Sequence, residues 1–95
     1  MPELKAEDLK IGRWYRAKKP APARGQLGPV VNDREIIWMG NGLVQYDGPA
    51  VRDGQHFPRV FVENFLKWAH RDVTDELPPG DWETWESYRE VKARA

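Results

Sequence analysis

Asn41-Gly42 stands between two alternating apolar segments, Glu35-Ile36-Ile37-Trp38-Met39-Gly40 and Leu43-Val44-Gln45-Tyr46-Asp47. No other stretch constrains the fold as strongly. A two-residue type I′ turn needs positive φ at both central positions, which Asn and Gly tolerate. The turn then sets the register: Met39 opposite Val44, Trp38 opposite Gln45, and Ile37 opposite Tyr46. One face of the hairpin reads as core, with Ile37, Met39, Val44 and Tyr46. The other carries Ile36, Trp38, Leu43, Gln45 and Asp47, a mixture too apolar for open water and too polar for a core, so something covers or binds it.

The rest of the chain supports a small β-rich domain. Its 95 residues suffice for one core, and 40% hydrophobic against 32% charged residues describes a globular chain. No apolar run approaches the ~20 residues of a membrane span. The charged N-terminal stretch Met1-Pro2-Glu3-Leu4-Lys5-Ala6-Glu7-Asp8 lacks the apolar segment of a secretory signal, which makes the cytoplasm the expected location. With no cysteine, disulfides, thiolate metal sites and cysteine nucleophiles are excluded.

Punctuation by turn residues divides the chain. Residues 11–19 read as an aromatic first strand ended by Pro20 and Pro22, and 19–33 as a loop rich in Pro and Gly. The Asn-Gly hairpin supplies the next two strands. Turns at Asp47-Gly48-Pro49 and Asp53-Gly54 precede a fourth strand over 56–62, and 63–71 fits a short helix presenting Phe65, Trp68 and Ala69 to the sheet. A linker follows over 72–80. Asp81 is positioned to cap a last helix, 81–95, on which Trp82, Trp85, Tyr88 and Val91 form one stripe. The whole is one domain, 1–95, with its core in 11–71.

The segments Gly12-Arg13-Trp14-Tyr15-Arg16-Ala17, Ile36-Ile37-Trp38, Leu43-Val44-Gln45-Tyr46 and Val60-Phe61-Val62 resemble the strands of small SH3-like barrels. The pattern Trp38…Gly42…Tyr46…Phe65-Leu66-Lys67-Trp68-Ala69 also looks like small proteins encoded in bacterial phage-derived regions. The resemblance covers residues 11–71. It implies a mainly β fold, a small SH3-like barrel of four to five antiparallel strands with a short closing helix and a C-terminal α-helix. Such barrels serve as binding modules for peptides, nucleic acids or other proteins, by variation of their sites. The acidic loop of proline-binding SH3 domains has no counterpart, because the loop here carries Lys18, Lys19 and Arg24 and no acid before Asp33.

Two surfaces invite a ligand. Between Lys10 and Arg24 lie six Lys/Arg and no Asp/Glu, interleaved with Trp14 and Tyr15. A regular strand places Trp14, Arg16 and Lys18 on one face, where cations meet phosphate and a ring stacks on a base. Arg13, Trp14, Arg16, Lys18, Lys19 and Arg24 are the candidate residues of a weak, non-specific nucleic-acid surface. Yet residues 1–34 carry eight basic and four acidic side chains, and 72–95 three and seven, so the tail can neutralise the head. Trp38 is the other candidate, either covered by the last helix or exposed as an anchor for a protein partner. His56 and His70 lack the close ligand spacing of a metal site, and no cofactor motif is present. The hydroxyls, Thr74 and Ser87 among them, fall in the tail, away from any convergent catalytic set. The expected activity is therefore non-catalytic: protein interaction or assembly with an unidentified protein partner, the chain itself a monomer or weak homodimer, with nucleic-acid binding as the alternative.

Overall fold

Seven strands in two antiparallel sheets, two α-helices and two single 3-10 turns make up the computed structural model, which describes residues 3–25, 28–51, 56–77 and 82–94. In chain order the strands are β1 Trp14–Ala17, β2 Pro22–Gly25, β3 Gly28–Val31, β4 Arg34–Gly40, β5 Leu43–Asp47, β6 Arg59–Phe61 and β7 Ala69–Asp72. The helices are α1 Val62–Trp68 and α2 Trp85–Arg94. Five strands form the main sheet in the order β6-β5-β4-β1-β7, and β2 pairs with β3 as a separate hairpin. The main sheet is not a closed barrel. Its edges, β6 and β7, are joined in sequence by α1, which packs against both.

The central turn forms as its chemistry dictates, with φ 53° at Asn41 and 76° at Gly42. Met39 faces Val44 and Trp38 faces Gln45, as the two-residue loop requires. Beyond Trp38 the register slips. A β-bulge between Ile36 and Trp38 makes Ile36, not Ile37, the partner of Tyr46. One extra residue in β4 lets Ile36 and Met39 both face inward, so Ile36 is fully buried and Ile37 only half-buried. The expected core face is thus corrected at one position.

The inner side of the sheet holds the core: Leu9, Tyr15, Ile36, Val44, Phe65 and Ala69, with Met39, Tyr46, Val60 and Trp68 packed around them. Phe65 is its hub, edge-on to Tyr15 at 5.7 Å between ring centres and tilted against Tyr46 at 6.1 Å and Trp68 at 5.4 Å. The Tyr15 hydroxyl ties in the N-terminal segment, accepting the Lys10 N–H and donating to the Asp8 carbonyl.

Three further expectations are corrected. The span 19–33 contains the β2–β3 hairpin, whose prolines, Pro22 and Pro29, sit in a two-stranded ribbon where a missing donor costs little. The helix expected to 71 stops at Trp68, whose carbonyl accepts the Lys18 N–H at 2.8 Å. From Ala69 the chain pairs with β1. Within the span 72–80, Val73 is fully buried and donates its N–H to the Trp14 carbonyl. Helix α2 begins at Trp85, where Thr84 Oγ1 accepts the Ser87 N–H as a cap. Asp81, the expected cap, and the Asp53-Gly54 turn lie outside the described residues.

Candidate interaction site

Arg16 looks on paper like the centre of a cationic binding strip. The fold buries it, at 5% exposure, on the outer side of β1. Its guanidinium grips Asp33 with two hydrogen bonds of 2.9 Å and reaches Glu83 at 2.8 Å. Burial works against the charge, and the two carboxylates more than offset it, so Arg16 stays protonated more firmly than a free arginine. The tail delivers Glu83 by pairing with β3: the Val31 N–H donates to the Glu83 carbonyl, and Val30 bridges to Thr84.

Neighbouring members of the strip are drawn in the same way. Arg13 bonds Asp72 at 2.8 Å and Asp75 at 3.2 Å. Burial alone would raise the Asp72 carboxyl, yet hydrogen bonds from Arg13 and Thr74 outweigh it and hold the carboxyl below its ordinary value. Trp14 meets the ring of Trp82 edge to face, and Arg16 lies 5.4 Å from the Tyr88 ring centre. Lys18, Lys19 and Arg24 remain exposed, with no ion pair among the described residues. The five candidate cations therefore do not form one surface. The acidic excess of the last quarter was the signal, and its consequence needed the fold.

Trp38 is placed differently. Because Ile36, Met39, Val44, Tyr46 and Val60 turn inward, the alternate residues of β4, β5 and β6 face outward in two cross-strand rows. Trp38, Gln45 and Arg59 form one row, and Gly40, Leu43 and Phe61 the next. The Trp38 ring lies over Gly40, so close that a Cβ there would come within 2.7 Å of it. Arg59 covers its other reach, 4.9 Å from ring centre to guanidinium carbon. Gln45 Nε2 donates to the Phe57 carbonyl at 3.1 Å, holding the approach to β6 against this face. Helix α2 packs on β3, and the cation-ring contact that Trp38 makes among the described residues is with Arg59.

This outer face is apolar and open. Phe61 is 60% and Phe57 44% exposed. Neither aromatic was singled out by sequence, since an isolated Phe in a strand carries no mark of which way it points; the alternation fixed by Val60 is what reveals it. At the β1 end of the face Glu35 pairs across the ladder with Asp47. Burial and then the Asp47 charge raise the Glu35 carboxyl, the mark of two acids sharing too little water. The face thus combines a flat aromatic, a half-buried Leu43, an exposed Phe61, and a carboxylate pair with no ion-paired cation among the described residues.

Among the described residues no group of three or more His, Asp or Glu is placed to hold a metal ion. No described helix is long and apolar enough to cross a membrane. The chain matches no family model, no curated protein and no solved structure with which it was compared.

Proposed function

We propose that this chain is a non-catalytic protein-interaction module of SH3-like architecture, whose binding face is the outer side of β4, β5 and β6. Its partner is a protein segment that sets apolar side chains on Trp38, Leu43 and Phe61 and a basic side chain beside Glu35 and Asp47. The observation that carries this reading is the unpaired aromatic face itself. An indole held flat by Gly40 and Arg59 needs little further ordering when a partner arrives, and desolvated aromatic anchors dominate binding energies. The charge pattern selects the partner, because an acidic pair already partly desolvated gains from a cation and rejects an acid.

The SH3-like architecture is supported by the strand order β6-β5-β4-β1-β7, by the long excursion between β1 and β4, and by the short helix between the last two strands. A cytoplasmic, phage-related setting belongs to the same proposal and rests on the sequence resemblance. The nucleic-acid alternative is left with Lys18, Lys19 and Arg24, which is too few phosphate contacts for more than loose, salt-sensitive association.

Selection from a random peptide library against the full chain tests the proposal. Recovered peptides should pair Lys or Arg with apolar residues, and their affinity should fall at least about tenfold in Trp38→Ala and in Phe61→Ser. They should bind Lys18→Ser/Lys19→Ser unchanged. Peptides whose binding ignores Trp38 and Phe61, or follows the lysines, would overturn the proposal.

A further inference from the structure

Arg34 is the one described arginine or lysine held between aromatic rings without a carboxylate. Its guanidinium carbon lies 4.0 Å from the ring centre of Trp68 and 4.3 Å from that of Tyr46. The side chain is half-buried, and no hydrogen bond or ion pair reaches it among the described residues. Burial, partly offset by Tyr46, makes its charge harder to keep than that of a free arginine.

A purely structural filler would not need this charge. Leu or Met between the same rings would pack without the cost of desolvating a cation, so a guanidinium here is expensive unless something meets it. With two ring centres within 4.3 Å of its central carbon, the part of the guanidinium left for a ligand is its N–H donors, none of which is hydrogen-bonded among the described residues. Those donors are not sealed, since no buried side-chain nitrogen or oxygen lacks a partner among the described residues. Tyr46 and Trp68 also carry unspent donors, the phenol O–H and the indole N–H, neither of which is engaged among the described residues.

Topology brings further charge to the same end of the sheet. Strands β1 and β4 are antiparallel with Tyr15 opposite Arg34, so β1 ends where β4 begins. Lys18 and Lys19 therefore leave the sheet at the Arg34 end, and the Lys18 N–H is bonded to the Trp68 carbonyl. Both lysines are exposed and unpaired among the described residues. Asp33, the acid next in sequence to Arg34, is occupied with Arg16 on the opposite side of the sheet.

We infer that Arg34, presented by Tyr46 and Trp68 with Lys18 and Lys19 at the same end of the sheet, is a binding site for a phosphate group. A guanidinium edge matches two phosphate oxygens, and the lysines complement a dianion better than a carboxylate. The site lies on a different side of the molecule from the Trp38 face and does not depend on it.

The test follows the Arg34 side-chain N–H and the Trp68 indole N–H by NMR while inorganic phosphate is added to the full chain. Sodium chloride at matched ionic strength, sodium acetate and O-phosphoserine form the parallel arms. Phosphate should give saturating shifts at both groups where chloride gives none, and acetate should bind at least about tenfold more weakly. Arg34→Lys, which keeps the charge and the stem, should also weaken phosphate by about tenfold or more. O-phosphoserine binding tighter than phosphate identifies a phosphomonoester as the ligand, and the reverse identifies the free ion. Shifts that chloride reproduces, acetate as tight as phosphate, or an unaltered affinity in Arg34→Lys would overturn the inference. The chloride comparison holds in the wild-type chain even where a variant fails to fold.

Discussion

The outer side of one sheet has two halves with opposite fates. Over β1, Trp14 and Arg16 are roofed by the tail: Trp82 sits on the tryptophan, Glu83 and Asp33 clamp the arginine. Over β4, β5 and β6, Trp38 and Arg59 show a similar pairing of ring and cation, yet no carboxylate clamps Arg59 among the described residues. The difference lies in what the tail brings. Its acidic residues are matched to the basic first strand, and once Glu83 is bonded to Arg16 and Thr84 bridged to Val30, α2 is committed to the β3 side. A charged aromatic strand is therefore a structural joint in one half and an open surface in the other.

Breaking the joint should cost the most. Asp33→Ala leaves the buried Arg16 short of its main counter-charge and should destabilise the chain by about 3–5 kcal/mol, read as a lowered denaturant midpoint. Arg16→Glu belongs to the same class, so it reports on folding and not on a binding surface. Replacing Arg16 by Met together with Asp33 by Leu should recover much of that loss, since neither charge is then stranded. A single Asp33→Ala within about 0.5 kcal/mol of wild type, the effect of an ordinary surface substitution, would show that the clamp is idle.

Gly42→Val comes next. A β-branched residue at φ 76° resists the left-handed turn and should cost about 1–2 kcal/mol. An unchanged midpoint would mean that the turn can relax to another type without loss.

The two acids on either side of the comparison should respond to pH with opposite signs. Asp72, held below its ordinary value, contributes stability that is present above the unfolded carboxylate range and is lost as pH falls through its folded value. Glu35 is raised, so its contribution is full below the unfolded value and is lost as pH rises through the folded one. Asp72→Asn should therefore flatten the fall in stability on the acid side, and Glu35→Gln should raise stability towards neutral pH. Melting curves across the carboxylate range, with both variants moving in the same direction, would contradict the assignment.

The smallest expected effect on stability is at the open half. Phe61→Ser, at a side chain 60% exposed, should shift folding by no more than about 0.5 kcal/mol while removing partner binding.

Local chemistry made parts of this structure readable. Asn41-Gly42 announced its turn because positive φ is a property of those residues alone, and Trp38 opposite Gln45 followed by counting. The bulge at Ile37 is not readable locally, because strict alternation from the turn puts Ile37 inward and only packing in the core that holds Tyr15 and Phe65 puts Ile36 there instead. Ala69–Asp72 continues a helical periodicity, and its strand state comes from an edge of β1 that no local signal announces. The candidate site divides along the same line. For Trp38 the sequence leaves two fates open, and for Arg16 it leaves a free cation or one neutralised by the acidic tail; deciding the second requires knowing that Asp33 and Glu83 converge on it across 17 and 67 residues of chain.

The most direct test of the division between the two halves is NMR mapping of the wild-type chain with a peptide selected on it. Shifts should concentrate on the Trp38 indole and on Leu43, Gln45, Arg59 and Phe61, with Trp14, Trp82 and the Arg16 side chain unmoved. Shifts centred on Lys18, Lys19 and Arg24, or a displaced Trp82, would contradict the account.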